Sequence, residues 1–440
     1  MAAAPSVQLV HLSDRVRVWA PAAVVVALFI AVSTFYNVRV PLYEAPDEAA
    51  HARYVRSIAD NGKLPRSSSI AEYESWQPPL YYALGAATLK ILGLDSPPEL
   101  EWNVNFPAER QNFVHTSEED FPYSEPVLAV HVLRGISTLF GAGAILLIYL
   151  TSLLIFPRRR LLAFSAAATL SLIPQFAFIS ATVSNDPASF FAASATVYLG
   201  LRYLREFRTI VLVLAAVAVS LGAVTKLSAA VVGIVPLAAV LFQPIAWQKK
   251  IPQLAVLALF PLAIAGWFYL RSLILWGAVW PAHLFGQQNP LPIWDSAYRQ
   301  TFFETLRESF WYAGGPLNIR LSPIVYDVLD VTSVLALAGL IVTFASSRLA
   351  PFENRAIMLL SVLPVLALGM LLYFSVEHDF QPQGRYLFVA MPAFAILMPL
   401  GLSRLFSRDG QQDHLAMLAL PALLLAVNVS IFAITLPRYY

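Results

Sequence analysis

The stretch VWAPAAVVVALFIAVSTFYNVRVPLYEAPDEAAHARY (residues 18–54) joins an apolar run to a cluster of acidic residues. The run at 18–36 has about the 20 residues that a transmembrane helix needs. Basic residues precede it and no clear small-x-small cleavage site follows it, so we interpret it as an uncleaved first span. Asp47, Glu48 and His51 come soon after it. The stretch predicts a membrane protein that gathers polar side chains beside its first span.

Composition indicates the same class for the whole chain. Of the 440 residues, 58% are hydrophobic and 13% are charged, which is about half the charged share of a soluble protein. The absence of cysteine excludes disulfides and thiol chemistry, and the net charge of +2 gives no indication of nucleic-acid binding. Recurring apolar runs predict a single all-α polytopic membrane domain over residues 1–440. It would have about eleven spans, at 18–36, 129–156, 161–181, 187–204, 209–225, 227–243, 251–275, 328–346, 355–376, 386–404 and 415–436.

The basic residues predict the orientation of these spans. With the N-terminus in the cytoplasm, the short outer connections hold only Lys226 and Arg385, and the inner ones hold the basic clusters, which is the positive-inside pattern. The inner clusters are Arg158 to Arg160, Arg202, Arg205 and Arg208, Lys249 and Lys250, Arg348 and Arg355, and Arg404 and Arg408.

Two predicted outer loops differ from the rest of the chain in composition. The first, at 37–128, holds 14 of the 27 acidic residues, and the second, at 276–327, is rich in Trp, Tyr, Pro and Gly. Pro46 suits the start of a helix and Asn61-Gly62 suits its end, so we expect a helix over 46–62 at the outer surface. A second helix over 77–94 should lie at the membrane interface.

The Asp-Glu-x-x-His pattern has two readings. On a helix, Asp47 and His51 share a face, and Glu48 is rotated away by about 100°. A carboxylate beside a histidine suits a general base, and both side chains are metal ligands. Alternatively, Asp47 and Glu48 only complement the dipole at a helix start. The spacing leaves both readings open.

Three further residues lie at the predicted outer ends of spans. Asp186 stands before a proline, so it either begins a helix or supplies a second carboxylate. Lys226, isolated in apolar sequence, either extends to the interface or binds an anion such as a lipid-linked phosphate. Arg385 either pairs with Glu377 or Asp379, or offers its bidentate fork to a phosphate.

The order of these motifs resembles a known group of membrane proteins. After the first span come APDEAAHARYVRSIADNGKLP (45–65) and YESWQPPLYYAL (73–84), and later VSNDP (183–187), TKLS (225–228) and QGRYLFVAMP (383–392). This order resembles the bacterial DUF2142 group. More broadly it resembles the GT-C glycosyltransferases, which include the protein O-mannosyltransferase and aminoarabinose transferase families. The resemblance covers most of the chain.

The resemblance implies a GT-C-like bundle in a bacterial inner membrane, with the active site facing the extracytoplasmic side. It implies transfer of a sugar from a polyprenyl-phosphate donor to a lipid, glycan or protein acceptor, usually with inversion. A carboxylate of the first outer loop would be the base, with Asp47 the best match and Glu48 next. Lys226 and Arg385 would stabilise the leaving phosphate. The other substrate-binding residues would be His51, Gln77, Asp186 and Tyr386.

Some GT-C members use a divalent metal and others do not. If this chain uses Mg²⁺ or Mn²⁺, the ligands would be Asp47, Glu48 and Asp186, and no other cofactor is expected.

A transporter or lipid-glycan flippase is the main alternative. It predicts ionisable residues near span midpoints, and the predicted spans hold almost none because the charges lie at their outer ends. Glycan ligases and polymerases usually carry their large outer loop late in the chain, whereas the largest loop here comes first. A non-catalytic scaffold would not depend on Asp47.

Overall fold

The computed structural model describes residues 12–66, 74–106, 111–281, 295–345, 349–377, 380–406 and 414–440. These residues are mostly helical, as the apolar runs predict, with a single two-residue hairpin of β1 (Ala313–Gly314) and β2 (Ile319–Arg320). The helices are α1 (Leu12–Arg39), α2 (Glu48–Asn61), α3 (Leu80–Leu92), α4 (Glu125–Ile155), α5 (Arg160–Leu172), α6 (Pro174–Ile179), α7 (Asp186–Glu206), α8 (Thr209–Ala223), α9 (Ile234–Leu241), α10 (Trp247–Trp276), α11 (Ser296–Trp311), α12 (Pro323–Ala345), α13 (Pro351–Glu377), α14 (Met391–Leu405) and α15 (His414–Ser430).

Every predicted span corresponds to helical structure, and seven of the described helices are long and apolar enough to cross a membrane. The region 209–243 divides into α8 and a second helical segment, which meet at Thr225-Lys226 as predicted. The third predicted span is broken between α5 and α6, because Pro174 has no N–H to continue the helical ladder. The chain is therefore a multi-pass helical bundle with several short helices in its interior.

The polar loops gather at one end of the bundle, which we call the loop end. It comprises residues 40–66, 74–106, 111–124 and 312–322. The Trp76 ring packs against Trp280, with centroids 4.5 Å apart, and Gln111 Nε2 donates to the carbonyl of Tyr439 at 3.3 Å. These contacts bring distant parts of the sequence together at this end.

Two glycines set the contact between α12 and α14. A Cβ at Gly339 would collide with the backbone of Gly401, and a Cβ at Gly401 would collide with the backbone of Ala336. Small residues allow such close approach of helices inside a membrane. Since neither position has room for a side chain, the two helix backbones lie in direct contact.

The helices of the first outer loop form as predicted but lie deeper than predicted. Helix α2 ends at Gly62, whose φ of 63° suits glycine, and its N–H donates to the carbonyl of Ile58. One face of α2 is buried, because Tyr54 stacks on Tyr82 of α3 with ring centroids 3.9 Å apart. The two helices thus pack against each other within the loop end and are not isolated at the surface.

His115 forms a bridge between two acidic residues of the first outer loop, one before α2 and one before α4. His115 Nε2 lies 2.9 Å from Glu44 Oε1, and its Nδ1 lies 3.0 Å from Glu119 Oε1. Burial lowers the pKa of His115, but the hydrogen bonds to Glu119 and Glu44 outweigh it and raise this pKa to about 9. At neutral pH a charged imidazolium therefore joins two carboxylates.

The bridge predicts a pH-dependent contribution to stability. Because the folded pKa of His115 lies above the unfolded value of about 6.5, its contribution is complete below pH 6.5 and is lost as the pH rises through about 9. We expect His115→Gln to lower the free energy of unfolding by up to about 3 kcal/mol near pH 6 and to have little effect above pH 10. Thermal melting in detergent across this range, with exposed His414→Gln as control, measures the difference. A constant gap between wild type and His115→Gln would contradict the bridge.

Candidate active site

A fully buried ion pair anchors the start of α2. Glu48 accepts hydrogen bonds from Arg134 of α4, from Nε at 2.7 Å and from Nη2 at 2.8 Å, and both side chains are 0% exposed. The backbone N–H groups of Val183 and Tyr43 donate to the same carboxylate at 2.9 and 3.1 Å. Both oxygens of Glu48 are thereby occupied by the protein itself.

Asp47 lies one residue earlier and has a different environment. Its φ of 63° is in the left-handed region, which Asp adopts more readily than most residues. It stands at the N-cap of α2, and its side chain makes no capping hydrogen bond to that helix. Instead it accepts a hydrogen bond from Arg385 Nη2 and is 26% exposed. Asp47 is therefore the accessible carboxylate of the Asp-Glu pair.

Asp186 joins both predicted cations in one network. Lys226 Nζ lies 2.5 Å from Asp186 Oδ1, and Arg385 Nη1 lies 3.6 Å from Asp186 Oδ2. Lys226 and Arg385 also lie over the ring of Tyr386, at 5.0 and 5.2 Å from its centroid. Lys226 is buried and does not extend to the surface. Arg385 thus links the carboxylate of Asp47 to that of Asp186.

In the described structure Arg385 pairs with Asp47 and Asp186 and not with Glu377, one of the two local partners considered for it. Glu377 is exposed at the end of α13, and residues 378 and 379 lie outside the described residues. The chain before Arg385 packs against α11, where the N–H of Gly384 donates to Ser309 Oγ at 2.8 Å. A Cβ at Gly384 would collide with the backbone of Phe310. Glycine at 384 therefore allows the approach that places Arg385.

His51 and Glu74 lie beside this network. His51 Nδ1 is 2.8 Å from the hydroxyl of Tyr82 and 3.9 Å from Glu74 Oε2. Burial lowers the pKa of His51 to about 3, so its imidazole is neutral. Burial, followed by the charge of Asp47, raises the pKa of Glu74 to about 8. Near pH 7 Glu74 is mainly protonated, which makes it a hydrogen-bond donor.

Gln77 is connected to the site by a hydrogen bond with Asn185. Its side-chain oxygen accepts a hydrogen bond from Asn185 Nδ2 at 3.4 Å, and the same Nδ2 donates to the carbonyl of Thr225 at 3.1 Å. Gln77 thereby positions the residue directly before Asp186. The structure brings all eight predicted site residues together at or directly beside the loop end, with Glu48 and Gln77 engaged in positioning their neighbours.

Several buried polar atoms of the site make no hydrogen bond within the described part of the chain. Leaving such a group unpaired costs about 1–3 kcal/mol, so a polar ligand that paired with them would stabilise the protein. These atoms are Glu74 Oε2, Asn185 Oδ1, Asp186 Oδ2 and Arg385 Nε.

A cavity of about 490 Å³ has Asp47 in its wall. It lies between the start of α2, the segments 100–106 and 112–113, and the hairpin residues Pro316 and Leu317. Aromatic rings and hydrogen-bonding groups share its walls, a mixture that suits a partly polar ligand. They include Arg53, Trp102, Phe106, Asn112 and Gln383.

The three carboxylates predicted as possible metal ligands are not placed to share a metal ion. Glu48 is occupied by Arg134, while Asp47 and Asp186 face Arg385 and Lys226. Within the described residues, no three His, Asp or Glu side chains are placed to share an ion. The charges of these three carboxylates are balanced by Arg134, Arg385 and Lys226 instead.

Sequence reasoning missed Arg134 and Glu74. Arg134 lies within the predicted span 129–156, and a lone arginine there is itself a signal of a buried partner. Glu74 stands in the quoted YESWQPP segment three residues before Gln77, and nothing in its local pattern shows that it is buried. Asn185 was passed over in the same way, next to Asp186.

Comparisons with known proteins agree with this architecture. Residues 130–269 match the family model described as dolichyl-phosphate-mannose-protein mannosyltransferase. The sequence matches none of the curated proteins with which it was compared. The crystal structure of ArnT from Cupriavidus metallidurans in the apo state is similar with a TM-score of 0.53 and 15% identity, over 94% of this chain and 73% of that chain.

Two further solved structures give lower scores. ArnT from Cupriavidus metallidurans bound to undecaprenyl phosphate has a TM-score of 0.48 and 16% identity, over 95% of this chain and 73% of that chain. The Archaeoglobus fulgidus oligosaccharyltransferase in complex with Zn and sulfate has a TM-score of 0.47 and 14% identity. The match covers 93% of this chain and 52% of the oligosaccharyltransferase, so the chain spans about half of its length. The likeness to apo ArnT confirms the predicted GT-C-like fold, whereas the narrower resemblance to the DUF2142 group stays a prediction.

The Glu48–Arg134 pair predicts a large effect on stability. Glu48→Gln leaves Arg134 buried without its counter-charge, which costs about 3–5 kcal/mol. We expect a clearly lower melting temperature in detergent for Glu48→Gln. Glu125→Gln, an exposed substitution in the first turn of α4, is the matched control and should melt like the wild type. Equal melting of Glu48→Gln and the control would contradict the structural role of Glu48.

Proposed function

We propose that the chain is a membrane glycosyltransferase that moves a sugar from a polyprenyl-phosphate carrier to a hydroxyl of a lipid, glycan or protein acceptor on the extracytoplasmic side. The observation that carries this proposal is the position of Asp47. This partly exposed carboxylate lies between a buried two-cation cluster and an open cavity. A transfer reaction needs a base between its two substrates, and the geometry suits that need.

The comparisons support the same reaction class. The segment that matches the mannosyltransferase family model contains Asp186 and Lys226. ArnT, whose fold is similar, binds undecaprenyl phosphate, which is a polyprenyl phosphate. We therefore take a sugar linked to such a carrier as the donor of this chain.

The donor phosphate would bind at Lys226 and Arg385. Arginine matches phosphate oxygens with its planar fork, and lysine adds a compact point charge. Both side chains are buried, where an ionic hydrogen bond is stronger than in water. The sugar would then lie near the atoms of Glu74, Asn185 and Asp186 that make no hydrogen bond. Its hydroxyl groups would satisfy these atoms, with protonated Glu74 donating.

The transfer step follows from this arrangement. The acceptor hydroxyl in the Asp47 cavity gives its proton to the carboxylate of Asp47 as its oxygen bonds to the anomeric carbon. The bond from the anomeric carbon to the phosphate oxygen breaks, and its electron pair goes to the phosphate. Lys226 and Arg385 stabilise the charge that develops there. Attack from the side opposite the phosphate inverts the anomeric centre.

Arg385 would also couple donor binding to the base. Before the donor arrives, its guanidinium pairs with Asp47, and such a pair favours the charged, hydrogen-bonded carboxylate. A bound phosphate competes for the same guanidinium. Once Arg385 turns to the phosphate, Asp47 has a lone pair available for the acceptor hydroxyl.

The first test replaces the base. We expect Asp47→Asn to lower transfer by about 10²–10⁴-fold, because the amide cannot take the proton, while the protein folds and still binds the carrier. The measurement is transfer of radiolabelled sugar from a panel of polyprenyl-phosphate sugars to membrane acceptors. Asp60→Asn, on the exposed end of α2, is the matched control. Full transfer by Asp47→Asn would overturn the base assignment. A flippase without transfer chemistry would move lipid equally well in both variants.

The second test concerns the donor phosphate. Lys226→Gln and Arg385→Gln each remove an ionic hydrogen bond worth about 1.5–3 kcal/mol, so we expect binding of undecaprenyl phosphate to weaken roughly 10- to 100-fold. Binding is measured on detergent-solubilised protein by microscale thermophoresis. Lys63→Gln, an exposed lysine after α2, provides the control. Unchanged affinity in both variants would remove the phosphate site from this position.

A further inference from the structure

A second cavity lies between α12 and α15, outside the network around Asp47. It has a volume of about 580 Å³ and is lined by the first turns of α12 and by the last turns of α15 with the helical segments that follow it. Apolar side chains form most of its wall, and Ile324, Val328 and Ile434 are strongly exposed there. We call this cavity the α12–α15 groove.

Basic and hydroxyl groups lie at the loop end of the groove. Arg320, at the end of β2, and Arg438, after α15, are both part of its lining, together with Ser322 and Thr435. Arg320 Nη1 lies 2.5 Å from Glu308 Oε2, so the charge of Arg320 is partly balanced. Arg438 is exposed, and no described carboxylate pairs with it. The mouth of the groove therefore carries two guanidinium groups, only one of which is paired with a described carboxylate, above an apolar wall.

The length of the groove matches one leaflet of a bilayer. Its lining on the α15 side runs from Leu423 to Thr435, about 18 Å at the 1.5 Å rise of a helix. Half of the hydrocarbon core is about 15 Å thick. An acyl chain of ordinary length fits this span, whereas a long polyprenyl chain would extend far beyond it.

The regular α-helix is interrupted beside the groove. Residues Ile431–Thr435 form a π-helical turn at the end of α15, and Ser430, Ile434 and Thr435 line the groove. Such turns are rare and occur often at functional sites. The feature was not expected from the sequence, which predicts an unbroken span over 415–436.

We infer that the α12–α15 groove binds one anionic glycerophospholipid of the leaflet at the loop end. Its acyl chain lies along the apolar wall, and its phosphate is held by Arg320 and Arg438. The site shares no residue with the Lys226–Arg385 cluster, so it does not depend on the proposed function. The hairpin that carries Arg320 also supplies Pro316 and Leu317 to the cavity beside Asp47, so the bound lipid would support one wall of that cavity.

Native mass spectrometry of the full chain tests the site. The protein is released from detergent after incubation with phosphatidylglycerol or with phosphatidylcholine of the same acyl chains. Two arginines near a membrane surface contribute about a thirtyfold preference for an anionic lipid. We expect wild type to retain one phosphatidylglycerol in preference to phosphatidylcholine, and Arg320→Gln combined with Arg438→Gln to bind it roughly thirtyfold more weakly.

Two further variants separate the groove from a general charge effect. Arg66→Gln combined with Arg299→Gln removes two exposed arginines that do not line the groove and should retain the lipid as wild type does. Ala426→Trp fills the groove without changing charge and should abolish retention. Equal retention by wild type and the Arg320/Arg438 variant would overturn the inference, as would retention by Ala426→Trp. Displacement of phosphatidylglycerol by equimolar undecaprenyl phosphate would also overturn it, by assigning the groove to the polyprenyl carrier.

Discussion

The buried pair of Glu48 and Arg134 is the constraint around which the loop end is built. Removing two charges from water is costly, and it is offset only when nearly every donor and acceptor finds a partner. Here Arg134 also donates to the backbone carbonyls of residues 37, 40 and 41, and Val183 donates to Glu48. The end of α1, the start of α2, α4 and the turn before α7 therefore meet at this one ion pair.

This anchorage explains how two adjacent carboxylates acquire different properties. Glu48 is 0% exposed and surrounded by donors, whereas Asp47 is 26% exposed and faces the cation cluster. The rigid position of Glu48 holds the backbone of Asp47 in place, so that its carboxylate meets Arg385 from a distant part of the chain. A side chain keeps its geometry better when its neighbours are fixed by packing and hydrogen bonds.

Much of the fold follows from the bilayer, which is why the sequence predicts it well. Apolar runs of the required length have to form helices in a membrane, and the break near Thr225-Lys226 and the end of α2 at Gly62 followed from local signals. The partners of the charges were harder to predict. For Arg385 the sequence offered either a local acid or a phosphate, and it gave no sign of Asp47, which lies 338 positions earlier. Arg134 and Glu48 are separated by 86 positions. Helical periodicity is local, and it carries no information on such pairs.

The left-handed backbone at position 47 restricts which residues can stand there, independently of any chemistry. Asparagine and glycine tolerate a φ near 63°, while β-branched and bulky side chains are strained in that region. A related chain with asparagine at this position would keep the shape of the turn and the anchorage of the next residue, yet lack the carboxylate. A change to valine would disturb the turn itself. Among relatives, the residue at this single position would therefore distinguish members that keep the turn without the carboxylate from those that have remodelled the loop end.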